Sequence, residues 1–424
     1  MPLTRFLGDR NASVAPLLAL VTIPLLAFVG SAVDYSRAAS VRTSLQAALD
    51  STALMLSKSA HTLNETQLQE QAVKLFSANF NRPEATAPQV AVAYTVSAGG
   101  YAINVTGATS IPTHFMNIFG IPVINLSSTA TVKWSNSRLR VALVLDVTGS
   151  MASSGKMTAL KTATHKLIDQ LKSVARQDGD VYVSIIPFSK DVNVGPANHT
   201  ASWIDWTDWD QKNGTCSKSR YTNKSSCVSN GGVWTPKSHS TWNGCITDRD
   251  QNYDTLNTAP VAGGTLFPAE QYASCPAPLM PLSYDWTALH NRIDALAPAG
   301  NTNQGIGLVW GWQSLTGGPP LYAPALDPNY TYKQAIILLS DGLNTENRWY
   351  NSAAPIDARQ QITCNNIKAT GIMIYTVLVM SGNSTVLQNC ASDPNKYFEL
   401  TDANQIITTF QTIGSELTKL HLSH

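Results

Sequence analysis

The sequence predicts an α/β protein whose carboxyl-terminal two-thirds is a doubly wound, mostly parallel sheet, preceded by a transmembrane helix and a small α+β segment. Three observations carry this expectation. Asn11 through Val33 runs uncharged for 23 residues, enough to cross a bilayer core of about 30 Å. Two apolar runs, residues 141–145 and 335–340, are of the kind buried on both faces of a parallel sheet, and each runs into an aspartate. From Leu139 onward, strand-like and helix-like segments alternate, as they do when helices cover both faces of a sheet.

The elements follow in order. Pro16 and Pro24 inside the apolar run are compatible with a membrane helix. Beyond it, Val41, Leu45, Ala48, Leu49, Thr52 and Leu56 fall on one helical face, so the span continues as one long helix to about Ser59. A second helix covers about residues 65–80 and ends before Arg82-Pro83. Val90, Val92, Tyr94 and Val96 alternate, Gly99-Gly100 turns the chain, and Tyr101, Ile103 and Val105 return as a hairpin partner. Residues 121–134 add another strand or two. Leu160, Ala163, Leu167, Ile168 and Leu171 give the next helix a buried stripe, and 181–188 is the following strand. Later come a helix around 356–370, a strand at 372–379, a short strand at 396–400, and a final helix whose Ile406, Phe410, Ile413, Leu417 and Leu420 step by four and three into the core.

Between residues 189 and 286 this regularity breaks down. The stretch holds four of the six Cys and six of the ten Trp, which points to a disulfide-stapled insertion. Cys216 with Cys227 and Cys245 with Cys275 are the natural local pairs, although four cysteines permit three pairings. Cys364 is expected to pair with Cys390, one on a helix packed against the strand 372–379 and the other in the loop after it. Trp203, Trp206 and Trp209 either form a binding surface or cover the insertion's core.

Composition narrows the setting. The net charge of +1 recommends no nucleic acid as a partner. Charged residues are 13% of the chain, against about 25% on average, while Asn, Ser and Thr are abundant, a bias of extracytoplasmic proteins. All six Cys follow the apolar run, their number is even and none forms a Cys-x-x-Cys pair, so an oxidising compartment is expected. That places the amino terminus in the cytoplasm and everything after about Asp34 outside, a choice that Arg5 and Arg10 before the span and Arg37 and Arg42 after it barely decide. Cleavage of a signal peptide near Ser31-Ala32-Val33 is the alternative.

Chemistry concentrates at the first aspartate. Asp146-Val147-Thr148-Gly149-Ser150-Met151 sets one carboxylate and two hydroxyls on a tight turn at the carboxyl end of a strand, where open α/β sheets bind ligands. Gly300-Asn301-Thr302-Asn303 and Asp341-Gly342 can complete an oxygen-only set, which suits magnesium. Taken singly, an aspartate followed by small hydroxyl residues is more often a turn or a helix N-cap. Catalytic motifs fail on spacing. Gly149 to Gly155-Lys156-Met157 has five intervening residues where a phosphate loop has four, and Met157 replaces the hydroxyl residue that would hold magnesium. A haloacid-type phosphatase would need a carboxylate where Thr148 stands, and neither His-Glu-x-x-His nor Gly-x-Ser-x-Gly is present. No enzyme is expected.

The three pieces, in this order, resemble the metal-ion-dependent adhesion site of von Willebrand factor A domains, whose first motif is Asp-x-Ser-x-Ser, here with Thr148 at the middle position. The resemblance implies a metal set of Asp146, Thr148, Ser150, Thr302 and Asp341. Thr148 and Ser150 would ligate directly, with Thr302 nearby and the two aspartates acting partly through water. The implied cofactor is a divalent cation, Mg2+, and a water it retains is a position that a partner's carboxylate could take.

The amino-terminal half is similar to the TadE/TadG-like family of Flp (Tad) pilus-assembly proteins. The residues that carry the similarity are the span with Val33-Asp34-Tyr35-Ser36-Arg37-Ala38, then residues 45–54, then Ile111-Pro112-Thr113 with Gly120-Ile121. Residues 307–312, Cys390-Ala391-Ser392 with Tyr397-Phe398, and 413–423 continue it, while Gly8 followed by Asp9-Arg10 departs from a prepilin-peptidase pattern. The implied layout is a cytoplasmic stretch 1–10, a transmembrane helix 11–33, a pilin-like α+β segment 34–136, and a von Willebrand factor A-like domain 138–422 with its insertion at 189–286. The implied role is that of a single-pass bacterial inner-membrane protein with its bulk in the periplasm. It would bind a protein partner of the cell envelope, a pilus-assembly component, through an acidic residue of that partner. A cell-surface adhesin and a metal-free structural scaffold are the alternative roles.

Overall fold

The computed structural model describes residues 14–97, 100–134 and 137–422. They fall into two compact units, Met1–Asn136 and Ser137–His424. The stretch 1–10, residues 11–13 of the apolar run and Gly99 of the expected turn lie outside the described residues.

In the first unit a 43-residue helix, α1 (Val14–Leu56), leads to α2 (Glu65–Asn79). An antiparallel sheet follows, β1 (Thr86–Ser97), β2 (Gly100–Pro112) and β3 (Val123–Trp134), in the order β1-β2-β3. The start of α2 is fixed reciprocally: Gln67 N donates to the Asn64 side chain, and Asn64 N donates to that of Gln67, satisfying two of the amides a helix start leaves open. The carboxyl half of α1 buries Val41, Leu45, Leu49 and Leu56 in one core with Leu68, Ala72 and Phe76 of α2, Ile103 and Val105 of β2, and Leu126 and Ala130 of β3. This is the helical stripe of period 3.6 meeting the period-two face of a sheet. The amino-terminal half has no such cover, and Leu20, Ile23, Leu26 and Phe28 are exposed. Among the described residues no helix is long and apolar enough to cross a membrane, and the apolar run of the sequence begins at Asn11, outside them.

The second unit opens with β4 (Ser137–Asp146), α3 (Lys156–Val174) and β5 (Val181–Phe188). The insertion then contributes β6 (Val192–Asn193), β7 (Ile204–Asp205), α4 (Thr207–Lys212), β8 (Gly214–Cys216), α5 (Lys224–Ser229), β9 (Trp234–Pro236), β10 (Cys245–Ile246), β11 (Phe267–Glu270) and β12 (Met280–Ser283). Then come α6 (Trp286–Asp294), α7 (Gln304–Ser314), β13 (Thr331–Ser340), α8 (Ala353–Ala369), β14 (Met373–Val379), α9 (Ser384–Cys390), β15 (Tyr397–Leu400) and α10 (Gln405–Leu422).

Strands β15-β14-β13-β4-β5 lie parallel in that order. Past β5 the insertion extends the sheet through β6, β10 and β11, all antiparallel, and then β7. The sheet is therefore mixed, with its parallel part on one side. Leu139, Val141, Leu143 and Leu145 of β4 share a core with α3, α6 and α10, while Ala142 and Val144 share a second core with α7 and α8. Alternate residues of one strand thus feed two layers. Helix α7 settles closely on the sheet because a Cβ on Gly307 would stand 2.7 Å from Phe188, and one on Gly311 2.6 Å from Val144.

Disulfides join Cys216 to Cys227, Cys245 to Cys275 and Cys364 to Cys390; Cys390 ends a short helix rather than lying in a loop. Trp203 and Trp209 are buried, and Trp206 stands edge-on to Trp209 and Trp242 with ring centroids 5.5 and 5.3 Å away. These indoles cover the insertion's core and do not form an exposed binding surface.

Candidate functional site

Sheet register sets the first two residues of the site side by side. Pairing of β13 with β4 runs to Leu339 opposite Leu145, so Ser340 and Asp146 end adjacent strands, and Ser340 Oγ donates to Asp146 Oδ2 at 2.6 Å. After β4 the chain enters a short turn of 3-10 helix, Gly149–Ala152, with Thr148 extended before it. Thr148 donates to Asp146 Oδ1 twice, from its backbone N at 2.9 Å and from Oγ1 at 2.6 Å. Thr148 Oγ1 and Ser150 Oγ are 3.0 Å apart, and Ser150 Oγ donates to Asp341 Oδ1 at 2.6 Å. Asp146, Thr148, Ser150 and Asp341 thus form one hydrogen-bonded chain across two strand ends.

Thr302 reaches the same end of the sheet through its loop. Ala299 N donates to Val147 O at 2.8 Å and Gly149 N to Gly300 O at 3.0 Å, while Thr302 N donates to Thr345 Oγ1 at 2.8 Å. Among the described residues no side-chain hydrogen bond links the Thr302 hydroxyl to the other four. Four of the five expected residues are therefore joined directly, and the fifth stands on the adjoining loop.

Electrostatics at the centre are tense. Burial, and then the charge of Asp341, push the Asp146 carboxyl up to about 6 against the hydrogen bonds from Ser340 and Thr148, because desolvation and a like charge both disfavour the ionised form. A cation is already built in. Gly155, at φ +70°, turns the chain into α3, whose first residue Lys156 is buried with its Nζ 2.7 Å from Asp341 Oδ2. Lys156 entered the sequence reading only as part of a failed phosphate loop. A lysine in the first turn of a helix opposes the helix dipole, and that mismatch is the signal that it has a partner.

Ser340, Gln304 and Asn344 were also not foreseen. Gln304 Nε2 donates to Ser340 Oγ and to Gly342 O, both at 3.1 Å. Gln360 Nε2 donates to Gln304 Oε1 at 2.8 Å, and Asn344 Nδ2 donates to Gln360 Oε1 at 2.6 Å and Asp357 Oδ1 at 2.7 Å. These buried amides brace the strand end behind the site, since a satisfied polar network in a low dielectric fixes its members in place. On the insertion side, Asn303 Nδ2 donates to Asp248 Oδ2 at 2.8 Å, and burial pushes the Asp248 carboxyl up to about 7. Nearby lies a cavity of about 240 Å³ lined in part by Lys190, Trp209, Glu270, Glu346 and Arg348.

The donor set fits a small hard cation. Thr148 and Ser150 direct their hydroxyl protons at carboxylates, which leaves lone pairs of two oxygens 3.0 Å apart available to a cation that keeps part of its water. Among the described residues no group of three or more His, Cys, Asp or Glu is placed to hold a metal. The arrangement is hydroxyl-led, with two carboxylates behind it.

Residues 12–55 match the family model described as putative Flp pilus-assembly TadE/G-like. The amino-terminal segment is TadE/G-like. That segment precedes the unit that carries the mixed sheet and the Asp146 turn. No curated protein matches the sequence. Among solved structures, the von Willebrand factor domain of the type V pili tip protein Mfa5 from Porphyromonas gingivalis is similar at 10% identity and a TM-score of 0.40, covering 69% of this chain and 98% of that one. The pilus adhesin SpaC from Lactobacillus rhamnosus GG is similar at 12% identity and a TM-score of 0.38, covering 81% and 36%. Proximal thread matrix protein 1 from the mussel byssus, with a zinc-occupied MIDAS motif, is similar at 13% identity and a TM-score of 0.33, covering 66% and 47%. The chain spans about a third to a half of the length of the last two.

Proposed function

We propose that this protein is a TadG-like, inner-membrane-anchored, periplasm-facing component of Flp/Tad-type pilus assembly that binds a protein partner at the Asp146 centre with the aid of Mg2+. The observation that carries the reading is the hydrogen-bonded chain from Asp146 through Thr148 and Ser150 to Asp341. It sets two hydroxyl oxygens side by side at the carboxyl end of the sheet and leaves an acidic side chain of the partner to complete the coordination. Cores on both sides of β4 support the doubly wound reading of this unit. Exposure of the apolar side chains from Leu18 to Val33 supports the anchor, because such a surface is stable in lipid and unfavourable in water.

The test uses the full chain in detergent, with Mg2+ titrated calorimetrically and envelope proteins captured with and without chelator. Asp146→Ala is expected to abolish Mg2+ uptake and capture together. Capture that is equally strong in excess chelator and with Asp146→Ala would sink the metal-dependent reading.

One observation favours a second reading, a metal-free docking scaffold. Lys156 already supplies a positive charge to Asp341, so the turn can be held in shape with no cation. Mg2+ uptake by the wild-type chain separates the two.

A further inference from the structure

The segment between β2 and β3 in the first unit is apolar where a loop facing water would be polar. Residues 114–121 read His-Phe-Met-Asn-Ile-Phe-Gly-Ile, and Ile118 and Phe119 are 77% and 55% exposed, with Phe115 and Ile121 exposed beside them. The loop is nevertheless firmly held. Asp34 of α1, itself buried, accepts the backbone N–H groups of His114 at 3.0 Å and of Phe115 and Met116 at 2.8 Å each. Thr113 Oγ1 donates to Ile121 O at 2.5 Å, which closes the two ends of the loop on each other. Phe115 lies over Gly30, where a Cβ would stand 2.5 Å from its ring.

From Asp34 the loop folds back along α1 toward its uncovered half. Met116, Phe119 and Ile121 line a cavity of about 320 Å³ together with Ala27, Phe28 and Ser31. A helix rises about 1.5 Å per residue, so Phe28 lies about 9 Å along the axis from Asp34. The loop's apolar tip is therefore level with the last turns of the apolar run, while Tyr35, 71% exposed, stands just beyond, as aromatic residues do at the edge of a bilayer.

We propose that residues 115–121 form a wedge that enters the lipid head-group layer beside α1, the bilayer surface being what covers their apolar face. Two features select lipid as the occupant. The exposed Phe119 and Ile121 of the loop share a cavity with Phe28 of the exposed belt of α1. The offset of about 9 Å between Asp34 and Phe28 also matches the depth of roughly 5–10 Å at which interfacial apolar faces lie. The wedge would give the first unit a second attachment and so fix its rotation about α1. The proposal rests on the reading of residues 11–33 as a membrane anchor.

A photo-crosslinking amino acid placed singly at Ile118, Phe28 or Val96 of the full chain, reconstituted in phosphatidylethanolamine and phosphatidylglycerol bilayers, tests it by mass spectrometry of the adducts. Val96 is exposed at the far end of the β1–β2 hairpin. Lipid adducts at 118 and 28 with none at 96 are expected. Lipid at 28 but none at 118 overturns the wedge and leaves the anchor standing. A protein adduct in place of lipid at 118 overturns it in favour of a second copy of the chain. Absence of lipid at 28 removes the anchor, and the wedge with it.

Discussion

The Lys156 ammonium lies 2.7 Å from Asp341 Oδ2, with 7% of the lysine side chain and none of the aspartate side chain exposed. With both aspartates ionised, the centre therefore carries one net negative charge instead of two. A cation that approaches the two hydroxyls meets a carboxylate already engaged.

Lys156→Met is expected to tighten Mg2+ binding by about 10-fold or more, because it deletes a like charge that the ion would otherwise meet beside Asp341. The same change leaves Asp341 buried without its partner, and in chelator it should destabilise the protein by roughly 3–5 kcal/mol. Calorimetric titration and denaturant unfolding read the two effects. Unchanged affinity would show that the ammonium is not felt at the hydroxyl turn.

Asp146 gives a pH dependence whose sign follows from its raised carboxyl, at about 6 when folded against 3.8 when free. Between these values the folded chain keeps a proton that the unfolded chain releases. The group's contribution to stability is therefore largest below 3.8 and is lost as the pH rises through 6. In chelator, Asp146→Asn should stabilise the protein at pH 7.5 by at most about 3 kcal/mol, with the gain shrinking toward zero near pH 4. Urea unfolding of both proteins across this range checks it; a difference that does not change with pH contradicts it.

Cys364 and Cys390 are 26 residues apart in the chain, and closing a loop of that size stabilises by about 3–4 kcal/mol in the chain-entropy model. Replacing both by Ala should lower the urea midpoint accordingly. No change in the midpoint would mean that α8 and α9 are held by packing alone.

Asp34→Ala removes the common acceptor for the amides of His114, Phe115 and Met116. Hydrogen exchange at those three amides should accelerate strongly while that of Leu45 and Leu49, in the core of the same unit, stays slow. Equal protection of residues 114–116 in variant and wild type would show that the loop is held some other way.

Periodicity made part of this structure readable in advance. The stripe Val41, Leu45, Leu49, Leu56 of α1 and the alternation in β1 and β2 are direct imprints of helical and strand geometry on the side-chain order. Asp146 and Asp341 stood out because each follows a long apolar strand. Other features leave no such imprint. Helix α7 is buried over nearly its whole length, so it has no polar face to betray a period of 3.6. Strands β6, β7 and β10 are two residues long, too short for an alternation to register. Lys156, Ser340 and Gln304 reach the site only through the β4–β13 register and the docking of α7, relations between distant segments that no local pattern encodes.

Each of the three disulfides joins cysteines that are neighbours in order of appearance: 216 with 227, 245 with 275, and 364 with 390. None straddles another. A polypeptide threading into an oxidising space behind an amino-terminal anchor presents these thiols one after the next, and joining each to the following one yields the finished set. Thiol exchange, which corrects mismatched bridges through mixed intermediates, then has nothing to correct. Maturation would call for an oxidant alone, with no dependence on an isomerase.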